Sequence, residues 1–248
     1  MDEKMQTGTM VNNYDEAVKL IEELGILPLA SLIPDYPSLE SVTPQTSWHS
    51  DTEQDPWKWR VRFPAEGKAA YGKFMKKKAV LVSPDWFPLV FNALRLGPSA
   101  EACYRDGLLS QAAWELYRLI EIEQGIDTRA LRERAFMKAK EDKKAFDQAV
   151  VELQDALFIV ISGVQAKVNA DGEKNGWNST AYETTTHEPK RDRRKQIIAG
   201  GIPCRAYPQV AGEMQRQSAG VFRKNIPCMS KAGNSFPALF LPIRPNCR

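Results

Sequence analysis

Asp142-Lys-Lys-Ala-Phe-Asp-Gln-Ala-Val-Val-Glu-Leu-Gln-Asp-Ala-Leu-Phe-Ile-Val-Ile-Ser-Gly163 is the stretch on which the fold turns. Phe146, Ala149, Val150, Leu153, Ala156 and Leu157 fall at helical spacing, so its first part has one apolar face. Phe158 to Ser162 is then a β-branched run ended by Gly163, the composition of a buried strand. On the N-terminal side, Ser110 caps a helix whose Ala113, Leu116, Tyr117 and Ile120 share a face and which stops at Gly125. Thr128 caps a second helix, through Leu131 to about Ala139. On the C-terminal side a loop rich in Gly, Asn and Lys leads to a second strand from Thr180 to Thr186. Helix, helix, helix, strand, loop, strand is winged-helix order. It predicts a mainly α fold with small β-hairpins, built from winged-helix units.

Working outward, the chain divides into an N-terminal helical and β region (residues 1–104), the winged-helix stretch (105–188) and a basic tail (189–248). Asn13, with Glu16 three residues on, reads as a capping box, Val18, Ile21 and Leu24 give an apolar face, and Gly25 is a stop. Pro28, Pro34, Pro37 and Pro44 make the next segment extended or looped. Trp57-Lys-Trp-Arg-Val-Arg-Phe63 alternates ring or apolar residue with cation, which predicts a half-buried strand. On that reading Trp57, Trp59 and Phe63 are core, and Lys58, Arg60 and Arg62 form an exposed ladder. Ala79 to Ser83 predicts a buried strand, and Trp86 to Leu96 a short helix. The last 60 residues hold seven of the 16 prolines and sustain no periodicity, which fits either a disordered basic tail or a shifted reading frame.

Apolar residues make up 43% of the 248, enough for a core without staples. No run of eighteen apolar residues occurs and the N-terminus lacks signal-peptide character, so the expectation is a cytoplasmic protein with no membrane partner. Cys103, Cys204, Cys228 and Cys247 form no Cys-x-x-Cys pair, and His49 and His187 lie far apart, so neither a metal nor a cofactor is called for. Residues 1–188 carry 22 basic against 29 acidic side chains, whereas 189–248 carry 12 against 2. Contact between the main body and a polyanion must therefore come from local patches.

One such patch runs from Lys58 to Lys78, with eight cations against the single acid Glu66 and with aromatic rings interleaved. Cations that meet phosphates beside rings that stack on bases are the elements of a nucleic-acid surface. The DNA-binding candidates there are Lys58, Arg60, Arg62, Lys73, Lys76, Lys77 and Lys78, with rings as core and lysines as solvated rim the alternative. A second patch comprises Arg129, Arg132, Lys143 and Lys144, although Asp147, Glu152 and Asp155 on the same helix oppose phosphates. Lys167 and Lys174 in the hairpin loop complete the set. With no phosphate loop, nucleophile elbow or metal cluster, the catalytic candidates reduce to Asp55, Glu66 and Asp85, each of which also reads as an ordinary surface or turn acid.

Trp57-Lys-Trp-Arg60, Tyr71-Gly-Lys-Phe74, Val82-Ser-Pro-Asp-Trp-Phe-Pro88, Glu152-Leu-Gln-Asp155, Phe158-Ile-Val-Ile-Ser-Gly163 and Gly176-Trp-Asn-Ser-Thr180 together resemble the bacterial AlkZ-related proteins over residues 13–188. That group is akin to the winged-helix DNA glycosylases that excise bulky or crosslinked alkylated bases. The resemblance implies a DNA-binding repair protein, a glycosylase if the activity persists, with a non-enzymatic regulator or protein-partner-binding module as the alternative. The Gln-apolar-Gln or Gln-apolar-Asp triplet on which those glycosylases rely is absent from residues 1–188, and Gln215-Arg-Gln217 has a cation at its centre.

Overall fold

The computed structural model describes residues 10–165 and 178–185. The basic tail, Lys167 and Lys174 lie outside the described residues.

The N-terminal helix forms as its sequence dictates. In α1 (Tyr14–Leu24) the Asn13 side chain accepts from the Glu16 amide, and Gly25 closes the helix at φ 77°. A Cβ at Gly25 would stand 2.3 Å from the Trp86 indole, so glycine is required there by space as well as by backbone conformation. The chain then makes β1 (Ile26–Pro28), a short helix α2 (Leu39–Val42) and a single 3-10 turn at Gln45–Ser47.

Trp57 to Phe63 is not a strand. It lies within helix α3 (Pro56–Ala65), where Asp55 is the N-cap and Pro56 occupies the first turn. Its buried residues are Pro56, Trp59 and Phe63, a helical spacing contained in the same letters that alternate with period two. Trp57, which the strand reading placed in the core, is 42% exposed.

A hairpin follows, β2 (Ala70–Met75) and β3 (Lys78–Val82), then α4 (Phe87–Leu94) and α5 (Ala100–Arg105). Next come α6 (Gln111–Ile122), β4 (Ile126–Asp127), α7 (Thr128–Arg134), α8 (Lys143–Asp155), β5 (Ile159–Gln165) and β6 (Ser179–Thr184). The cap of α7 is Asp127 rather than Thr128, its carboxylate accepting from the Ala130 amide at 2.8 Å, and the helix stops at Arg134 rather than near Ala139.

From α6 to β6 three helices precede two paired strands, with β4 interposed between the first two helices, and the fold is not mainly α with small hairpins. Six strands form one antiparallel sheet in the order β1, β3, β2, β5, β6, β4, so the described chain is a mixed α/β structure with eight α-helices. Local periodicity identifies β3, β5 and β6 but not β1, β2 or β4, and it does not show that Tyr71 of β2 pairs with Ile161 of β5, which joins the two hairpins. The sheet thus draws strands from both sides of residue 104.

Side-chain alternation along β3 explains its unbroken apolar run. Val80 and Val82 pack with α4 residues Phe87, Val90 and Leu94 on one side, and Leu81 packs with Leu27, Tyr71 and the α1 and α3 side chains on the other. A third cluster gathers α5 to α8 around Leu116, Leu153 and Phe158.

Candidate nucleic-acid interface

The Lys58 to Lys78 patch divides into two halves that behave differently. Its first half lies on α3, where side chains two apart point to opposite sides, so Lys58, Arg60 and Arg62 form no ladder. Lys58 pairs with Asp51 at 2.8 Å, and that partner raises the ammonium pKa. Arg60 lies 3.6 Å above the Trp57 ring and reaches the Tyr71 hydroxyl at 3.4 Å. Arg62 donates to Glu66 at 2.5 Å and lies 3.9 Å above the Tyr14 ring. The helical half of the patch is engaged with its own surroundings.

Its second half is the β2–β3 hairpin. Met75 and Lys78 are register partners, so Lys76 and Lys77 are a two-residue turn, with φ of 51° and 60°. Two left-handed residues make a type I′ turn, ordinarily the place of Asn-Gly. Lys73, Lys76, Lys77 and Lys78 are all exposed. The register slips between Gly72 and Met75, a bulge that leaves the Lys73 amide free to donate to Gln154 Oε1 at 3.1 Å. The Lys77 amide donates to Asp155 Oδ1 at 3.0 Å. The C-terminal end of α8 therefore holds both the bulge and the turn.

Of the second patch, Arg129 pairs with Asp127 and reaches the Gln165 carbonyl at 3.3 Å. Arg132 donates to the carbonyls of Met137 at 2.8 Å and Ala139 at 3.0 Å, so its guanidinium organises the loop between α7 and α8. Lys143 and Lys144 are exposed in the first turn of α8, whose N-cap residue Asp142 makes no side-chain capping bond. A helix N-terminus beside two ammonium groups favours an anion. This cationic end and the hairpin turn lie at opposite ends of α8, about 20 Å apart at 1.5 Å per residue.

The acids that seemed to oppose phosphates on α8 have internal tasks. Glu152 accepts from the Ser110 amide at 2.8 Å and its hydroxyl at 2.6 Å, and Asp155 holds the hairpin turn. Asp147 remains exposed on the same helix.

The catalytic candidates do not converge. Asp55 is 2% exposed, and its carboxylate accepts from the amides of Trp57 at 2.9 Å, His49 at 3.0 Å and Asp51 at 3.3 Å. Glu66 accepts from Arg62 and from the Tyr14 hydroxyl at 3.0 Å, and the Arg62 bond foremost lowers its pKa. Asp85 is an exposed residue of the turn before α4. Among the described residues no three of His, Cys, Asp and Glu converge as a metal site, and no helix is long and apolar enough to cross a membrane.

One residue escaped the sequence reading altogether. Phe136, just beyond α7, is 93% exposed at φ 55°. No glycine stands near the end of α7, and a residue with a side chain takes the left-handed position there.

No curated protein and no solved structure matches the chain. A family model described as AlkZ related does match, over residues 11–223, reaching further toward the C-terminus than the motifs quoted above. With most of its length covered, the chain belongs to the AlkZ-related family.

Proposed function

We propose that this protein binds duplex DNA in a repair setting, through the β2–β3 turn and the N-terminal end of α8. The family supplies the repair context. The observation that carries the reading is the hairpin turn itself: Lys76 and Lys77 occupy left-handed positions that Asn-Gly would fill at lower cost, with Lys73 and Lys78 exposed beside them. Hairpin geometry alone does not call for lysines in a strained turn, and the exposed Lys73, Lys77 and Lys78 stand where phosphates can reach them. Lys143 and Lys144 extend the contact along the backbone, at a distance of roughly six base pairs for a 3.4 Å rise.

Binding is favoured over base excision because two of the three carboxylates already serve the fold. Asp55 accepts three amide bonds, and Glu66 is tied to Arg62 and Tyr14. Duplex affinity measured across a salt series tests the reading. A steep fall with salt is expected, together with loss of binding when Lys76, Lys77 and Lys78 are replaced by Glu; a flat response sinks it. Abasic sites in an alkylated duplex incubated with the protein would restore the enzyme reading.

A further inference from the structure

Phe136 combines two unfavourable features. The α7 C-terminus closes with the Phe136 amide bonded to the Glu133 carbonyl at 3.1 Å and the Met137 amide to the Arg132 carbonyl at 2.8 Å. In this closure Phe136 is the left-handed residue, a position that normally belongs to glycine. A phenylalanine there carries backbone strain and leaves its ring in water, and the ring stacks on no other described ring. Substitution by glycine would remove both costs, so local stability does not explain the residue.

The ring is held outward by a fixed loop. Arg132 donates to the carbonyls of Met137 and Ala139 on the far side of Phe136, and its guanidinium lies 5.6 Å from the centre of the buried Phe146 ring. Cations are frequent in the chain that follows: Lys138, Lys140, Lys143 and Lys144 come within eight residues, against Glu141 and Asp142, and all four are exposed. Lys138 is paired with Glu133, whereas Lys140, Lys143 and Lys144 form no ion pair among the described residues. An exposed apolar ring on a bonded loop that leads into a lysine-rich segment suits a polyanion whose interior is apolar, which is a stacked duplex.

From this arrangement we infer that Phe136 is a wedge that inserts between base pairs and unstacks a step of the bound duplex, with Arg132 as the residue that positions it. The inference rests on the DNA-binding reading and adds how the duplex is deformed. Pyrimidine–purine steps, the most easily unstacked, are the expected sites.

The test uses the full chain and a set of duplexes, each about 20 base pairs long, carrying 2-aminopurine at successive positions around a TA step. Wild type is expected to raise the fluorescence at one or two positions. Phe136→Gly should retain salt-dependent binding, lose the fluorescence rise and bind roughly tenfold more weakly, the scale of one stacked base. Phe136→Leu should keep most of the signal. The thermal midpoint of Phe136→Gly should equal or exceed that of wild type, which separates lost insertion from lost folding; a lower midpoint would overturn the strain argument. If wild type shows no salt-dependent DNA binding, the functional reading fails and the wedge with it. Steep salt dependence with flat fluorescence, or an undiminished signal from Phe136→Gly, overturns the wedge alone. Flat fluorescence together with Phe136-dependent sedimentation on phosphatidylserine vesicles would place the ring at a membrane surface instead.

Discussion

Replacing Lys76 by Asn and Lys77 by Gly should stabilise the protein and weaken its hold on DNA at the same time. Both positions are left-handed, at φ 51° and 60°, where a residue with a Cβ is strained by about 1–2 kcal/mol. Glycine removes that strain at position 77 but has about 0.5–1 kcal/mol more unfolded-state freedom to lose. Asn is among the side chains that tolerate the left-handed region, and Asn-Gly is the preferred type I′ pair. The Lys77 bond to Asp155 comes from the backbone amide, so glycine keeps it. The net gain is about 1 kcal/mol, a rise of roughly 2–4 °C in thermal midpoint for a chain of this size. If both lysines contact phosphates, the salt slope of log K should shrink by about 1.8, since each contact contributes about 0.9. With the salt-independent part of binding unchanged, affinity near about 0.15 M salt then falls by about 1.5 decades, roughly thirtyfold. Thermal melts and fluorescence anisotropy of a labelled duplex across a salt series measure both quantities. A higher midpoint with an unchanged slope removes the turn from the interface, and a lower midpoint refutes the strain argument.

Two further substitutions separate structural from chemical roles for the carboxylates. Asp55→Ala loses the α3 cap and leaves amides of His49 and Asp51 without their acceptor, so it should destabilise by about 2–3 kcal/mol, whereas Asp55→Asn should keep most of the stability because Asn caps nearly as well. Equal damage from the two, seen in denaturant melts, would contradict the capping role. Glu66 has a lowered pKa, so its contribution to stability is present above its unfolded value of about 4.5 and is lost as pH falls through the lower folded value. Melts between about pH 2.5 and 7 should therefore show a shallower acid-side loss for Glu66→Gln than for wild type, a small effect because the pair is exposed. Identical slopes would show that the Arg62 bond does not persist in solution.

Much of the fold was legible because its signals are local. The Asn13 cap, the Gly25 stop, the buried run after Lys78 and the α8 stripe all follow from neighbours within a turn or two. What stayed hidden depends on pairing across long separations. Tyr71 meets Ile161 and Lys73 meets Gln154 because sheet and bulge bring them together, and no window of sequence contains both partners. The misreading at Trp57 to Phe63 was different, since the deciding signal was local. Buried positions 56, 59 and 63 satisfy a helix, whereas 57, 59, 61 and 63 satisfy a strand, and periodicity alone cannot choose between them. Asp55-Pro56 can: a capping acid followed by proline marks a helix start.

The charge of the candidate interface was the other quantity that counting misjudged. In sequence, α8 looked compromised by Glu152 and Asp155 while the α3 segment looked strongly basic. In the fold, Glu152 is bonded to the start of α6 and Asp155 to the hairpin turn, while Lys58 and Arg62 each face an acid within 2.8 Å. A cation paired to a carboxylate must break that pair to meet a phosphate, and only the difference between the two interactions is then available for binding. The segment with the most aromatic and basic letters therefore has the least to offer a polyanion. The better candidates for a polyanion are the exposed Lys73, Lys77 and Lys78 of the β2–β3 hairpin and Lys143 and Lys144 at the start of α8. Exchanging Lys58 and Arg62 for Gln should accordingly change duplex affinity far less than exchanging Lys77 and Lys78. The reverse ranking in the same anisotropy assay would return the interface to α3.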